Sequence, residues 1–390
     1  MELWIIVLSI SYGFLMLLDP LIYTYVAYQL NVSSVYLGLC SAMWSIVYIV
    51  ASMFLGFLAD EGKSRTLTIL SLVSISLSLV TMSTFNSVTA FISYMLHAFS
   101  MASANLALNT AVFDNIDNYY WGKAILFTRV VGNVVRGSMF IALALTNFFN
   151  ISVVLQITIL LLLMSAISIP SISLISERSI YRLYKVARDI GSYVKASTSL
   201  LYIDNPSIAQ DVFQKIWSRP ANTGLNARRI AVIAMFVTCV GDYVLSFLPF
   251  IIKNKVNLQT LWIAYGVTAL FSIAALYMLR EVEFSSKPIA IALILLRSAI
   301  LILGLNMVND VVPLTLYLVA NSTLFLLIDL VLYNLFVSSS AGYSTSLYYT
   351  LRELGSIVGS IIGGYLLSID LKIYTGAALA ISAIQLILAL

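Results

Sequence analysis

Residues 34–65 read SVYLGLCSAMWSIVYIVASMFLGFLADEGKSR. From Ser34 through Ala59 there is no charged side chain, and then Asp60, Glu61, Lys63 and Arg65 follow within six positions. A helix needs about twenty apolar residues to cross a hydrocarbon core about 30 Å thick. This stretch exceeds that length and stops at a charged turn, so it reads as one membrane crossing followed by a tight loop.

The same pattern recurs on both sides. Apolar spans are expected near 3–28, 34–59, 66–84, 88–112, 122–147, 150–175, 229–252, 258–279, 288–306, 311–338, 342–368 and 371–390. Of the 390 residues, 61% are hydrophobic and 10% charged, against roughly half and a quarter in a soluble domain. Lipid cannot satisfy backbone N–H and C=O groups, so uninterrupted runs of this length imply helices; a barrel would show short alternating segments instead. The expected fold is an all-α integral membrane protein of about twelve transmembrane helices. The first span has neither a basic leader nor a small-residue cleavage site, so it reads as a retained helix.

Net charge is +4, and its placement gives an orientation. With alternate loops assigned to opposite sides, Lys63, Arg65, Lys123, Arg229, Arg280, Lys287 and the basic residues of 176–228 fall together, leaving Lys253, Lys255 and Lys372 on the other side. The positive-inside rule then puts both termini in the cytoplasm of a multi-pass cell-membrane protein. These charges flank membrane spans and accompany no nucleic-acid-binding motif, so nucleic acid is not an expected partner. Cys40 and Cys239 sit in separate spans without a spacing partner, and His97 is the single histidine. Neither a disulfide framework nor a metal site is suggested, and no cofactor is expected.

Six spans precede a polar segment and six follow it. This divides the chain into a first half, 1–175, a cytoplasmic linker, 176–228, and a second half, 229–390. In the linker Ile180, Leu183, Ala187, Ile190 and Val194 recur at helical spacing among basic residues, as in an amphipathic helix lying on the membrane surface. A second short helix is expected from Pro206, capped by Asn205, to near Pro220.

The loop Gly56-Phe57-Leu58-Ala59-Asp60-Glu61-Gly62-Lys63-Ser64-Arg65 resembles the signature loop of the major facilitator superfamily. Glu61 stands where an Arg is common, and the loop is one residue shorter than the usual pattern. Gly56 would permit close helix approach, and Asp60 would pair with basic neighbours or cap a helix. His97, before Ala98, Ser100, Ala102, Ser103 and Ala104, occupies the place of a family Arg in span four. Asp114 with Trp121-Gly122-Lys123-Ala124 is similar to the family's next cytoplasmic loop. Gly132-Asn133-Val134-Val135-Arg136-Gly137 lacks the proline of antiporter members. Gly355, Gly359 and Gly363 form a ridge at four-residue spacing. The resemblance implies two pseudo-symmetric six-helix halves around a central cavity lined by spans one and seven.

Ionisable residues within spans are costly unless paired or solvated, which makes them the first candidates for a transport path. They are Asp19, Asp242, Asp329 and Glu353 with Arg129, Arg136, Arg297 and Arg352. Tyr12, Asp19 and Tyr23 share a helix face, as do Thr238, Asp242 and Ser246; Arg129, Gly132 and Arg136 form a narrow cationic face. Pro20 and Pro249 are positioned to kink their helices. Asp19, Arg136, Asp242, His97 and Arg297 are the candidate substrate or proton pathway. His97 reads either as a proton relay or as a satisfied interhelical hydrogen-bonding residue. Gly56, Asp60, Gly62, Lys63, Arg65, Arg129, Asp329, Arg352 and Glu353 are the candidate gating and signature-loop set. Arg352 and Glu353 are adjacent, so they are not expected to share a face. Tyr348 and Tyr349 are a candidate aromatic pair.

The expected function is secondary active transport of a small solute by alternating access, with protons as candidate coupling ions and a monomer as the expected state. No Gly-x-x-x-x-Gly-Lys-Ser/Thr loop is present, which argues against direct ATP drive. No convergent nucleophile, base or metal set marks an enzyme. The competing readings are a membrane-embedded enzyme or a non-transporting scaffold of the same topology. The sequence leaves the substrate open between an organic anion, a metabolite and a drug-like compound.

Overall fold

The computed structural model describes residues 2–116, 120–146, 151–170, 226–279, 287–305, 308, 310–340 and 345–389. The regular elements among them are helices: α1 Leu3–Gln29, α2 Ser34–Asp60, α3 Ser64–Met82, α4 Ser87–Asn115, α5 Trp121–Thr146 and α6 Ile151–Ser168. After residue 225 come α7 Ala227–Leu245, α8 Leu248–Ile252, α9 Leu258–Leu279, α10 Lys287–Gly304, α11 Val311–Ser340, α12 Thr345–Ile369 and α13 Leu371–Ala389. Ten segments among the described residues are long and apolar enough to span a membrane, and the chain is a multi-pass membrane protein. The linker helices expected near 180–194 and 206–220, and the charged stretch 280–283, lie outside the described residues.

The ends of the helices follow local chemistry. Asn86 caps α4 by accepting from the Val88 and Thr89 backbone N–H groups, while the Thr89 hydroxyl accepts from the Asn86 N–H. Ser33 and Asn226 cap α2 and α7 through side-chain oxygens. At the end of α2 the Gly62 N–H bonds the Ala59 carbonyl and the Lys63 N–H bonds the Leu58 carbonyl, with Gly62 at φ +74°. That is a Schellman closure, which glycine enters without steric cost.

Between helices in lipid, close packing has to do what the hydrophobic effect does in water, so small residues set the contacts. Gly355, Gly359 and Gly363 of α12 face the carbonyls of Met235, Cys239 and Tyr243 of α7; a Cβ at either of the first two would collide with the α7 backbone, and one at Gly363 with the Phe247 ring. Both sets repeat every four residues with a constant offset, so two parallel helices run in register. α3 packs along α4 in the same intimate way, and α1 lies against α4, α5 and α6.

The first six helices form one bundle and the later helices a second. They meet along two antiparallel seams, α2 with α12 and α5 with α9, and through α1 against α8 and α9. Pro20 leaves α1 continuous. The span expected at 229–252 is broken instead: α7 ends at Leu245, and Pro249 stands at the start of the short α8, where its missing N–H is harmless.

Candidate functional site

The seams close one end of a central cavity. On α2 and α12, the Ser34 hydroxyl donates to the Gly364 carbonyl (2.9 Å), the Ser41 and Ser360 hydroxyls pair at 2.8 Å, and those of Ser45 and Ser356 at 3.2 Å. A Cβ at Gly38 would stand 2.5 Å from the Ser360 carbonyl oxygen. On α5 and α9, Gly137 and Gly266 lie against each other, a Cβ on either falling 2.9 Å from the other's carbonyl oxygen. Across α1 and α9, Trp262 Nε1 donates to Thr24 Oγ1 (3.1 Å), and Tyr28 donates to the Val256 carbonyl (2.9 Å). Among the described residues, every hydrogen bond between the two bundles lies toward the end where α1 joins α2.

Beyond these contacts is a cavity of about 560 Å³ whose wall comes from both bundles. From the first come Asp19, Pro20, Tyr23 and Thr24 of α1, Ser41, Trp44 and Ser45 of α2, Tyr94 of α4 and Arg136 of α5. From the second come Thr238, Asp242 and Leu245 of α7 with Ser246 and Pro249, Tyr265 of α9, Phe325 of α11, and Arg352, Glu353 and Ser356 of α12. The helical spacing of Asp19 with Tyr23, and of Thr238 with Asp242 and Ser246, therefore does define cavity faces; Tyr12 is not among the lining residues.

Asp19 accepts from the Tyr94 hydroxyl at 2.7 Å and lies within electrostatic reach of Arg136 and Asp242. Asp242 has Ser356 beside it. Arg136 Nε is buried without a hydrogen-bond partner. Arg352 pairs with Asp329 Oδ2 (3.0 Å) and Glu353 Oε1 (3.7 Å), and the Tyr348 hydroxyl donates to Asp329 Oδ1 (2.9 Å). Arg352 and Glu353 both line the cavity, contrary to the expectation from their adjacency. Successive helix positions are about 100° apart rather than opposite, and long side chains from both reach the same space.

Two candidates of the pathway set stand behind the cavity wall. His97 is fully buried; its Nδ1 accepts from Trp44 Nε1 (3.2 Å), and its Nε2 is 2.9 Å from the Leu15 carbonyl, to which it donates. Both ring nitrogens thus have partners between helices, and the ring stands behind the cavity-lining Trp44 and Tyr94, stacked on the latter. Arg297 lies on the far side of α7. It donates to the Val237 carbonyl (2.9 Å), sits over the Phe325 ring (4.7 Å), and occupies the space a side chain at Gly241 would fill. Its position depends on that glycine, which span spacing alone did not single out.

The signature-loop residues lie away from the cavity. Gly56 meets nothing within 4 Å of a Cβ, so the expected close approach is absent there; the tight contact on α2 is at Gly38 instead. Asp60 is exposed, and the loop's ion pair joins Lys63 to Glu61 (2.6 Å). α3 begins without a side-chain cap, so Asp60 does not cap it. Gly62 turns beside the buried Asp114, and Arg65 donates to the Ile169 carbonyl (2.7 Å) at the end of α6. Arg129 is exposed, within reach of Tyr12 and Tyr48. Tyr348 is buried among Tyr333 and Phe336, and Tyr349 packs edge-on against it; neither lines the cavity.

Sequence reasoning missed Trp44, Tyr94, Tyr265 and the serines of α2 and α12. Ser34, Gly38, Ser41 and Ser45 are a small-residue stripe at helical spacing, mirrored by Ser356, Ser360 and Gly364. That stripe was the available signal.

Two helical bundles enclosing a polar, charged cavity within the membrane define a polytopic protein built like a solute transporter. The sequence matches the Major Facilitator Superfamily over residues 4–360, and the chain belongs to that family. No curated protein matches it in sequence. Among solved structures it is similar to the nucleoside transporter NupG (16% identity, 99% of this chain and 96% of that one, TM-score 0.60). A D-xylose-proton symporter is similar at 14% identity, 98% and 96% coverage and TM-score 0.63. A structure of proton dependent oligopeptide transporters is similar at 12% identity, 99% and 95% coverage and TM-score 0.65. At these identities the likeness is one of fold.

Proposed function

We propose that this chain moves a small solute across the cell membrane by alternating access, with residues 1–175 and 229–390 as the two rocking halves and 176–228 as the connecting linker. The observation that carries the reading is a charged cavity walled by both bundles, with the described inter-bundle hydrogen bonds gathered at its α1–α2 end. With both termini in the cytoplasm, as the loop charges favour, that hydrogen-bonded end is the outer one. The seam is made of serines and glycines, which can part at modest cost because each hydrogen bond contributes only about 1 kcal/mol net.

Asp19 is the proposed proton carrier, with Asp242 rather than the internally satisfied His97 as its assistant. Arg352, tied to Asp329 and Glu353, is the proposed gating group. The working unit is proposed to be the monomer.

The test requires no knowledge of the solute. Thr238→Cys, in a background with Cys40 and Cys239 replaced, places a thiol on the cavity wall. A membrane-impermeant maleimide should label it from both faces in right-side-out and inside-out vesicles. Adding Ser41→Cys and Ser360→Cys and oxidising them across the seam should restrict labelling to one face. A rigid scaffold would label from one face with or without the cross-link.

A further inference from the structure

The cavity carries charges that its internal contacts leave unused. Its wall holds three carboxylates, Asp19, Asp242 and Glu353, against two guanidinium groups, Arg136 and Arg352. Arg352 is engaged by Asp329 and Glu353. Arg297, the other cation near Asp242, is turned away behind α7 onto the Val237 carbonyl and the Phe325 ring. Arg297 Nε is also buried without a hydrogen-bond partner, but Arg297 does not line the cavity, and Arg136 does. Arg136 reaches the cavity from α5, its Nε is buried without a hydrogen-bond partner, and it makes no ion pair among the described residues. A guanidinium in this position is a fork of N–H donors shaped for a carboxylate or phosphate.

The acids tell the complementary half. Asp19 of α1 and Asp242 of α7 stand on opposite bundles within electrostatic reach of each other, and neither forms an ion pair among the described residues. Tyr94 serves one oxygen of Asp19. Two carboxylates facing each other in a low-dielectric cavity attract a cation between them. A solute that was only an anion would add negative charge to a wall where acids already outnumber bases. A solute that was only a cation would leave Arg136 unpaired.

We propose that the cavity takes a small zwitterion of amino-acid or short-peptide size, with its carboxylate on Arg136 and its ammonium on Asp242 and Asp19. This rests on the transporter reading above and adds the class of solute. The cavity of about 560 Å³ lies within the usual range for small-molecule sites. Because Arg136 and Asp242 belong to different bundles, the solute itself ties the two together. It binds best where the bundles approach, which is the differential affinity that shifts a conformational equilibrium.

The experiment uses the full chain in detergent and matched probe sets: an L-amino acid, its amide (ammonium only) and its N-acetyl form (carboxylate only), with the same three forms of each amino acid and of dialanine. Binding is read by thermal shift and titration calorimetry. At least one zwitterion should bind about tenfold or more tightly than both of its derivatives, as expected for losing one charge-assisted contact. Arg136→Gln should abolish the preference over the amide, and Asp242→Asn the preference over the N-acetyl form. An amide or N-acetyl form that binds wild type as well as its parent, or a complete absence of zwitterion binding, overturns the proposal. The wild-type comparison decides even if a variant fails to fold. Maleimide labelling of Thr238→Cys reads alternating access with no solute, so either idea can fail while the other stands.

Discussion

The Tyr94 hydroxyl on α4 donates to Asp19 Oδ1 on α1 at 2.7 Å, fixing the carboxylate that faces the opposite bundle. A hydrogen bond to a charged group contributes about 1.5–3 kcal/mol. In a double-mutant cycle of Tyr94→Phe and Asp19→Ala, read by denaturation in detergent, the coupling should fall in that range. Additive losses would mean that the pair is not maintained in the folded protein.

If Asp19 is the proton carrier, its charge matters more than its packing. Asp19→Asn keeps the shape and the Tyr94 contact, but it cannot release a proton. In liposomes with an internal pH dye, solute-elicited proton movement should disappear in this variant, while two-sided labelling of Thr238→Cys persists. Proton movement that survives would relocate coupling to Asp242 or Glu353.

His97 holds Trp44 from behind the cavity wall through one ring nitrogen and the Leu15 carbonyl through the other. Leucine at this position would leave an indole N–H and a backbone carbonyl without their partner, at about 1–3 kcal/mol for each group that stays buried. His97→Gln retains one donor and one acceptor. The leucine variant should melt well below wild type and the glutamine variant between the two. A leucine variant as stable as wild type would show that the histidine bonds contribute nothing.

Glycines on two helices give opposite expectations from the same substitution. A Cβ at Gly359 would collide with the Cys239 carbonyl, whereas one at Gly56 meets nothing within 4 Å. Gly359→Ala should cost about 1–3 kcal/mol, as overpacking does. Gly56→Ala should leave stability unchanged or raise it slightly, since a helical alanine is favoured over glycine. Thermal unfolding of the two variants side by side checks both.

The helices were legible because lipid leaves so little freedom: Ser34–Asp60 and Leu258–Leu279 fall within a residue of the spans read from apolar length. Cavity faces on α1 and α7 were legible too, since a polar residue every third or fourth position on an apolar helix has few other places to go. What could not be read was which polar residue lies behind the wall. His97 and Arg297 are as polar as Asp19, and only the partners supplied by Trp44, Leu15, Val237 and Phe325 turn them inward. The serine seam escaped for a related reason. A small-residue stripe says that something approaches closely, but α12 as the partner of α2 is a fact of tertiary structure.

The Asp329–Arg352 pair separates a structural role from a gating one. Arg352→Gln alone strands Asp329, which retains only the Tyr348 hydroxyl as a donor. Removing one partner of a buried pair costs about 3–5 kcal/mol, an upper figure here because both side chains are partly exposed. Asp329→Asn with Arg352→Gln removes the stranded charge and should recover much of the lost stability. If the pair only holds α11 to α12, the double variant should also recover two-sided labelling of Thr238→Cys. If Arg352 is a gate, the double variant should be stable yet show altered labelling, with one face now favoured over the other.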